Sequence, residues 1–292
     1  MMTRIAALYC TMFLALLLPA AGRAQTPTCQ GLTGEQKALA TTLLTTLHPY
    51  ACCDETIAEC LKKDRVCALA HRLAERICKR VANGEDKKTI TRGLSRRARS
   101  MMPSTRKAAI ALDGVPVVGS EDAPVVVVEY ACARCPFCTK ITPPLHESIG
   151  SGALRGKARL YFKTFPIRGH TFSKEAGLGF VAASMQGKFW DYMLYAYQHF
   201  DSFCPLKQAD WAETAGLDRK LFEQSIEDPA ARSLLVASKK EGIVNKVGAT
   251  PTFFINGRKF VGDLSLEELV DAIEEEHERL AGIEFIEHAG NQ

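Results

Sequence analysis

The spacing of hydrophobic positions changes along this chain. Leu39, Leu43, Leu44 and Leu47, and then Leu69, Leu73, Ile77 and Val81, recur at helical spacing and so fall on one face of a helix. Asn83-Gly84 after Val81 is a helix stop, and a third short helix is predicted from about Lys87 to Arg99. Nothing in residues 25–102 reads as a convincing strand. Arg92, Arg96, Arg97 and Arg99 cluster on that third helix and read as a solvated face, as most charge runs do. Met101-Met102-Pro103-Ser104 breaks the pattern, so a first, all-α domain is set at 25–102 with 103–107 as a linker.

From Ala108 the runs become strand-like. Ala109 to Leu112 is a short candidate, Val125 to Tyr130 is a β-branched run of the kind buried on both faces, and Leu160 to Phe165 is a third. A helical stretch follows from about Phe172 to Glu241, with Gly177, Gly216 and Asp228-Pro229 as its internal boundaries. Thr252 to Ile255 and Lys259 to Val261 form a predicted hairpin across Asn256-Gly257. Leu266 to Arg279 closes the chain as an amphipathic helix, with Ser265 and Glu268 at capping-box spacing. The order β-β-α-β-(helices)-β-β-α predicts an α/β thioredoxin fold over 108–285 with a helical insertion at about 172–241, preceded by a small Cys-rich all-α domain.

Composition narrows the class. With 47% hydrophobic and 24% charged residues the chain is ordinary globular protein, which excludes a disordered, collagen-like or multi-pass membrane chain. A formal charge of +4 over 292 residues is too weak for a nucleic-acid binder. The eleven cysteines depart from average and ask which compartment the chain occupies. Arg4, the apolar run Ile5 to Ala21 and the ending Gly22-Arg23-Ala24 read as a signal peptide over residues 1–24, removed near Ala24, and place the protein in the periplasm. The alternative is an uncleaved membrane anchor. Neither Cys10 nor Cys29 stands in a lipid-anchor context. Cys29, Cys52, Cys53, Cys60, Cys67 and Cys78 then allow fifteen pairings, among which sequence cannot choose. Structural disulfides are the default for such a domain, since the spacing lacks the tight pairs of a zinc site. Cys52 and Cys53, as neighbours, each need a distant partner.

The strongest motif is Cys135-Pro136-Phe137-Cys138, soon after the strand ending at Tyr130 and opening a helical segment. At the first turn of a helix the unpaired N–H groups and the dipole stabilise a thiolate, and Pro136 suits that turn. Two sulfurs at this spacing can close into a disulfide or open to a dithiol. Cys135, as the exposed N-terminal member, attacks or is attacked, and Cys138 resolves the mixed disulfide. A structural disulfide or half of a zinc site are the rival readings of an isolated Cys-x-x-Cys.

Residues 121–130 (Glu-Asp-Ala-Pro-Val-Val-Val-Val-Glu-Tyr), 135–138, Gly187-Lys188-Phe189-Trp190 and 247–257 (Val-Gly-Ala-Thr-Pro-Thr-Phe-Phe-Ile-Asn-Gly) together resemble the DsbA-like thioredoxin-fold thiol:disulfide oxidoreductases over about 108–280. The resemblance implies that Thr250-Pro251 is the cis-proline loop beside the active-site disulfide. Thr250 would then offer backbone hydrogen bonds to an extended substrate peptide, and Pro251 would keep metal out. It also implies that Glu129, a carboxylate inside an apolar strand, is the buried acid that moves the proton of the resolving cysteine. Burial would raise its pKa toward the working range. Pairing of Glu129 with Lys163 or Arg159 is the alternative. This sequence departs from the most oxidising members in having Pro-Phe with no histidine between its cysteines, which predicts a less acidic Cys135 and a moderate redox potential. Equilibration against glutathione checks this. Cys132 is an added third thiol that could pair with Cys204, sit as an inert buried thiol, or compete for Cys135.

Residues 47–100 are more loosely similar to the three-helix thiol domain of CcmH-type cytochrome c maturation proteins. Cys53 can match the second cysteine of that domain's pair, but Tyr50 stands at the first, so the redox pair does not carry over.

These readings predict an exported thiol:disulfide oxidoreductase that exchanges Cys135–Cys138 with unfolded or partly folded client proteins. Clients would lie along Thr250 and Pro251 and the surface of Pro136 and Phe137, and a membrane oxidase or reductase would reset the pair. Two alternatives stand beside it, an oligomeric isomerase or reductase and an apocytochrome c thiol-binding factor. No cofactor or metal is called for, as there is no phosphate-cradling glycine loop and no histidine pair at metal spacing.

Overall fold

A computed structural model describes residue 29 and residues 31–102 and 104–287. The leader reading at 1–24 lies outside them. The first part of the chain contains α1 (Gly34–Thr46), α2 (Ile57–Cys60), β1 (Arg65–Cys67), α3 (Ala68–Ala82) and α4 (Lys87–Met101). Asn83 ends α3 with Gly84 in the left-handed region, and Asp86 caps α4 by accepting from Thr89 N–H. Leu43, Ile57, Leu73, Ile77, Val81 and Ile90 form a core of their own. Three disulfides cross it, Cys29–Cys78, Cys52–Cys67 and Cys53–Cys60, so each member of the vicinal pair reaches a distant partner.

The second part contains β2 (Val117–Val118), β3 (Val125–Ala131), α5 (Cys138–Gly150), β4 (Ala158–Thr164), α6 (Ser173–Met185), α7 (Phe189–Gln198), α8 (Gln208–Thr214), α9 (Arg219–Glu227), α10 (Pro229–Val244), β5 (Thr252–Ile255), β6 (Arg258–Lys259), α11 (Leu266–Leu280) and β7 (Phe285–Glu287). Five strands form a mixed sheet in the order β2-β4-β3-β5-β6, with β3 and β4 parallel and every other pair antiparallel. The side chains of β3 alternate in direction. Val125 and Val127 pack with Leu145 and Ile149 of α5 and Leu269 and Ile273 of α11 on one face, while Val128 and Tyr130 meet Phe165, Val247 and Phe254 on the other. This is a thioredoxin fold, with α6–α10 inserted between β4 and β5.

The structure corrects several readings made from sequence. Ala109–Leu112 is not a strand, because side chains rather than a ladder satisfy its backbone. Asn245 donates to Ala109 O, Glu241 accepts from Ala111 N–H, and Lys163 donates to Ala111 O. The second strand of the hairpin ends at Lys259, since Val261 N–H is taken by Ser100 Oγ. Gly177 is no boundary. It lies inside α6, where a Cβ would meet Leu235 of α10 at 3.3 Å, so it is there for close helix packing. The first part is not purely helical either, as β1 pairs with β7 from the far end of the chain.

Within the arginine cluster Arg92 and Arg99 are exposed as read, and Arg96 and Arg97 are the largest correction. Arg97 is fully buried and pairs with Glu268, Asp271 and Glu275 of α11. Around it Arg72 reaches Asp271 and Glu278, Arg76 reaches Glu267 and Glu268, and Arg80 and Arg96 both reach Asp263. The half of the capping box that Ser265 supplies is present, accepting from Glu268 N–H, but the Glu268 carboxylate is drawn away to these arginines.

Candidate active site

Val125–Ala131 is the central strand, and beyond its C-terminal end a turn in which Cys135 N–H donates to Cys132 O at 3.0 Å sets up the start of α5. Cys138 is the first helical residue, behind Pro136 and Phe137. Pro143 and Pro144 lie inside α5, so the helix bonds that would reach the carbonyls of Thr139 and Lys140 are absent.

The two thiols occupy opposite environments. Cys135 is held down to about 5, first by the Cys138 thiol donating to its sulfur against the opposing effect of burial, then by Thr250 and by the Cys138 and Phe137 N–H groups of the helix start. Cys138 is fully buried, and burial together with the Cys135 sulfur and Glu129 pushes its pKa far up. Cys135 is not the exposed member that the sequence suggests. Only 1% of it is accessible, because it lies under the Thr250 carbonyl, to which its sulfur donates at 3.2 Å. The exposed parts of the motif are Pro136 and Phe137, the latter 67% accessible.

The Thr250–Pro251 peptide is cis, and Pro251 is buried where β5 begins. Glu129 shares the face of Val125 and Val127 and sits between Phe162 of β4 and Phe253 of β5. In that apolar setting burial pushes its carboxyl up to about 8, opposed by Thr142 and reinforced by the Cys135 charge. Thr142 Oγ1 donates to Glu129 Oε1 at 2.6 Å, and Oε2 is buried without a partner. Neither candidate cation reaches it. Lys163 pairs with Glu241 at 2.7 Å, and Arg159 donates to Glu121 O. The structure thus brings Cys135, Cys138, Glu129, Thr250 and Pro251 together. Thr142 is the residue that sequence reasoning missed, as nothing local marks a threonine before two prolines as a partner for a strand thirteen residues earlier.

Cys132 and Cys204 are both free thiols, so the pairing considered for them is absent. Cys132 is buried, with Ser173 Oγ at 3.1 Å and His170 Nδ1 at 3.3 Å. Cys53 is bound to Cys60, and the Tyr50 hydroxyl donates to Glu275, so nothing at these positions forms a second dithiol. Among the described residues no group of three or more His, Cys, Asp or Glu is placed to hold a metal, and no helix is long and apolar enough to cross a membrane.

Comparison with known proteins agrees with this architecture. BdbD from Bacillus subtilis, in its oxidised form, superposes with a TM-score of 0.52 over 60% of this chain and 98% of that one, at 20% identity. Two curated relatives are Na(+)/H(+) antiporters, NhaA 3 of Salinispora tropica (30% identical over 158 residues) and NhaA 1 of Mycolicibacterium vanbaalenii (33% over 165). Each match covers 54% of this chain but only 24% and 26% of the antiporter, so the chain spans about a quarter of these relatives. A family model described as Thioredoxin matches residues 112–275, more than half of the sequence. The chain therefore belongs to the thioredoxin family.

Proposed function

We propose that this thiol–disulfide oxidoreductase exchanges the Cys135–Cys138 disulfide with cysteines of exported client proteins through a mixed disulfide. A client thiolate attacks the Cys135 sulfur, Cys138 leaves and takes up a proton, and a second client thiolate then releases Cys135. Two electrons pass from client to enzyme, Cys138 ends as a thiol and Cys135 as a thiolate, the protons of the client thiols having gone to solvent, and the reverse sequence reduces a client disulfide. Glu129 is the group beside Cys138 that gives and takes the proton. An extended client backbone meets Thr250 and Pro251, and its side chains meet Pro136 and Phe137. A separate redox partner, a membrane oxidase or reductase, resets the pair and sets the direction of flow. The leader pattern at residues 1–24 and three disulfides in the first part support residence in the periplasm.

The observation that carries this reading is the asymmetry of the two thiols, an acidic Cys135 at the helix start and a deeply buried, strongly raised Cys138. The Cys138→Ala variant tests it. Without the resolving thiol, mixed disulfides between Cys135 and clients should accumulate and be visible on non-reducing gels as reducible adducts. A Cys138→Ala protein that traps nothing from an oxidised mixture of unfolded proteins would remove the reading.

A further inference from the structure

Beside the Cys132 thiol, the loop that follows β4, the start of α6 and one side of α10 enclose a groove of about 610 Å³. Its apolar surface includes Ile167, Phe172, Leu235 and Val236. Its rim carries Arg168, Lys174, Arg232, Lys239 and Lys240 against the single acid Glu175. The arginines that face α11 each find carboxylates. Among the described residues none of these five is in an ion pair, and Lys239 instead lies 3.3 Å over the ring of Phe165. The groove is therefore a concentrated and uncompensated positive field over an apolar surface.

Two local features point the same way. Phe172 precedes α6 in the left-handed region, φ 59°, which is a strained conformation for an aromatic residue, and yet it is 46% exposed at the groove. Phenylalanine at the N-cap also has no side-chain acceptor for the first N–H groups of α6, so this helix start is left without the oxygen that Asp86, Asp218 or Ser265 gives elsewhere. An incoming carboxylate would supply it. The groove is also joined to the reactive turn, since Ser173 and His170 line it and both contact the Cys132 sulfur, while Cys132 O accepts from Cys135 N–H.

We propose that this groove binds an acidic, extended stretch of the client protein, with its carboxylates on the Arg168, Lys174, Arg232 and Lys240 rim and an apolar side chain on Phe172 and Val236. The proposal rests on the reading of Cys135–Cys138 as a site of exchange with protein cysteines and adds the class of client that it favours. Solvent-exposed charge of this kind acts on encounter and selection, so its signature is a preference that salt removes.

The test uses the whole chain and two fluorescent peptides that lack cysteine and share their apolar residues, one bearing aspartates and glutamates and the other serines at those positions. The acidic peptide should bind roughly tenfold more tightly at low salt, and the gap should close as salt rises. The double variant Arg232→Glu, Lys240→Glu changes two exposed side chains. It should bring the acidic peptide down to the affinity of the serine peptide and leave the serine peptide unchanged. Equal binding of the two peptides to the natural chain, or an unaltered preference in the double variant, overturns the proposal. Binding of these peptides does not depend on the thiols. A chain that prefers the acidic peptide yet exchanges with no cysteine-bearing version of it keeps the groove and loses the oxidoreductase reading.

Discussion

Glu129 is fully buried between two phenylalanines, and only its Oε1 has a partner. In the unfolded chain it would ionise near the ordinary value of 4.5, whereas in the fold it keeps its proton up to about 8. Between those values the folded state holds more protons than the unfolded state, so this residue makes the protein less stable as pH rises through that window. Glu129→Gln has no such slope. Its stability relative to the natural chain should therefore grow between pH 5 and pH 8 by about 3 kcal/mol, read from urea unfolding at each pH. The same variant should slow the exchange step that needs Cys138 to gain or lose a proton and should remove the inflection near pH 8 from its rate profile. A flat stability difference would mean that Glu129 is already charged in the fold. Cys135 has the opposite sign. Its depressed pKa stabilises the reduced fold at and above the ordinary thiol range, and this contribution is lost as pH falls through about 5. Titration of thiolate absorbance should show a midpoint near that value, and Cys138→Ala should raise it, since the largest cause is the thiol that Cys138 donates.

At the scale of elements, what could be read from sequence followed from how local its signal was. The β-branched run at 125–128, the Asn256-Gly257 turn with both residues at positive φ, and the Cys-x-x-Cys before a helix are short-range patterns, and each element stands where it was read. Partners distant in sequence were not legible. Thr142 for Glu129, Ser100 for Val261 and β7 for β1 lie far from the residues they bind, and no periodicity announces them. The arginines of α4 are the sharpest case. Arg97 looks like any cation on a polar helix until α11 presents Glu268, Asp271 and Glu275 to it. Burial opposes its charge, and those carboxylates more than offset that and hold it well above the usual arginine range. Arg97→Ala should cost about 3–5 kcal/mol in chemical denaturation, because it leaves several acids facing one another in a buried site. A loss below about 1 kcal/mol would return Arg97 to the class of surface pairs.

Across the whole molecule the Cys-rich part is fastened to the thioredoxin fold rather than tethered to it. Met101 packs into the core beneath the sheet, Tyr50 touches the cores of both parts, and five arginines from α3 and α4 meet the acids of α11 and Asp263 before it. Cys67, held by Cys52, ends the strand that pairs with Phe285. A disulfide removed from the first part should therefore be felt by the second. The Cys29–Cys78 bridge closes 49 residues and the Cys53–Cys60 bridge closes 7, so chain entropy alone assigns them about 4 and about 2 kcal/mol. Replacing Cys29 and Cys78 by serine should lower the melting temperature more than replacing Cys53 and Cys60. It should do so in one transition that includes loss of the tryptophan signal, because Trp190 and Trp211 both lie in the thioredoxin part. Two separate transitions, with the tryptophan signal unmoved, would mean that the ion network does not couple the parts. The first part would then be an independent module whose buried arginines serve its attachment and not the stability of the fold that carries Cys135.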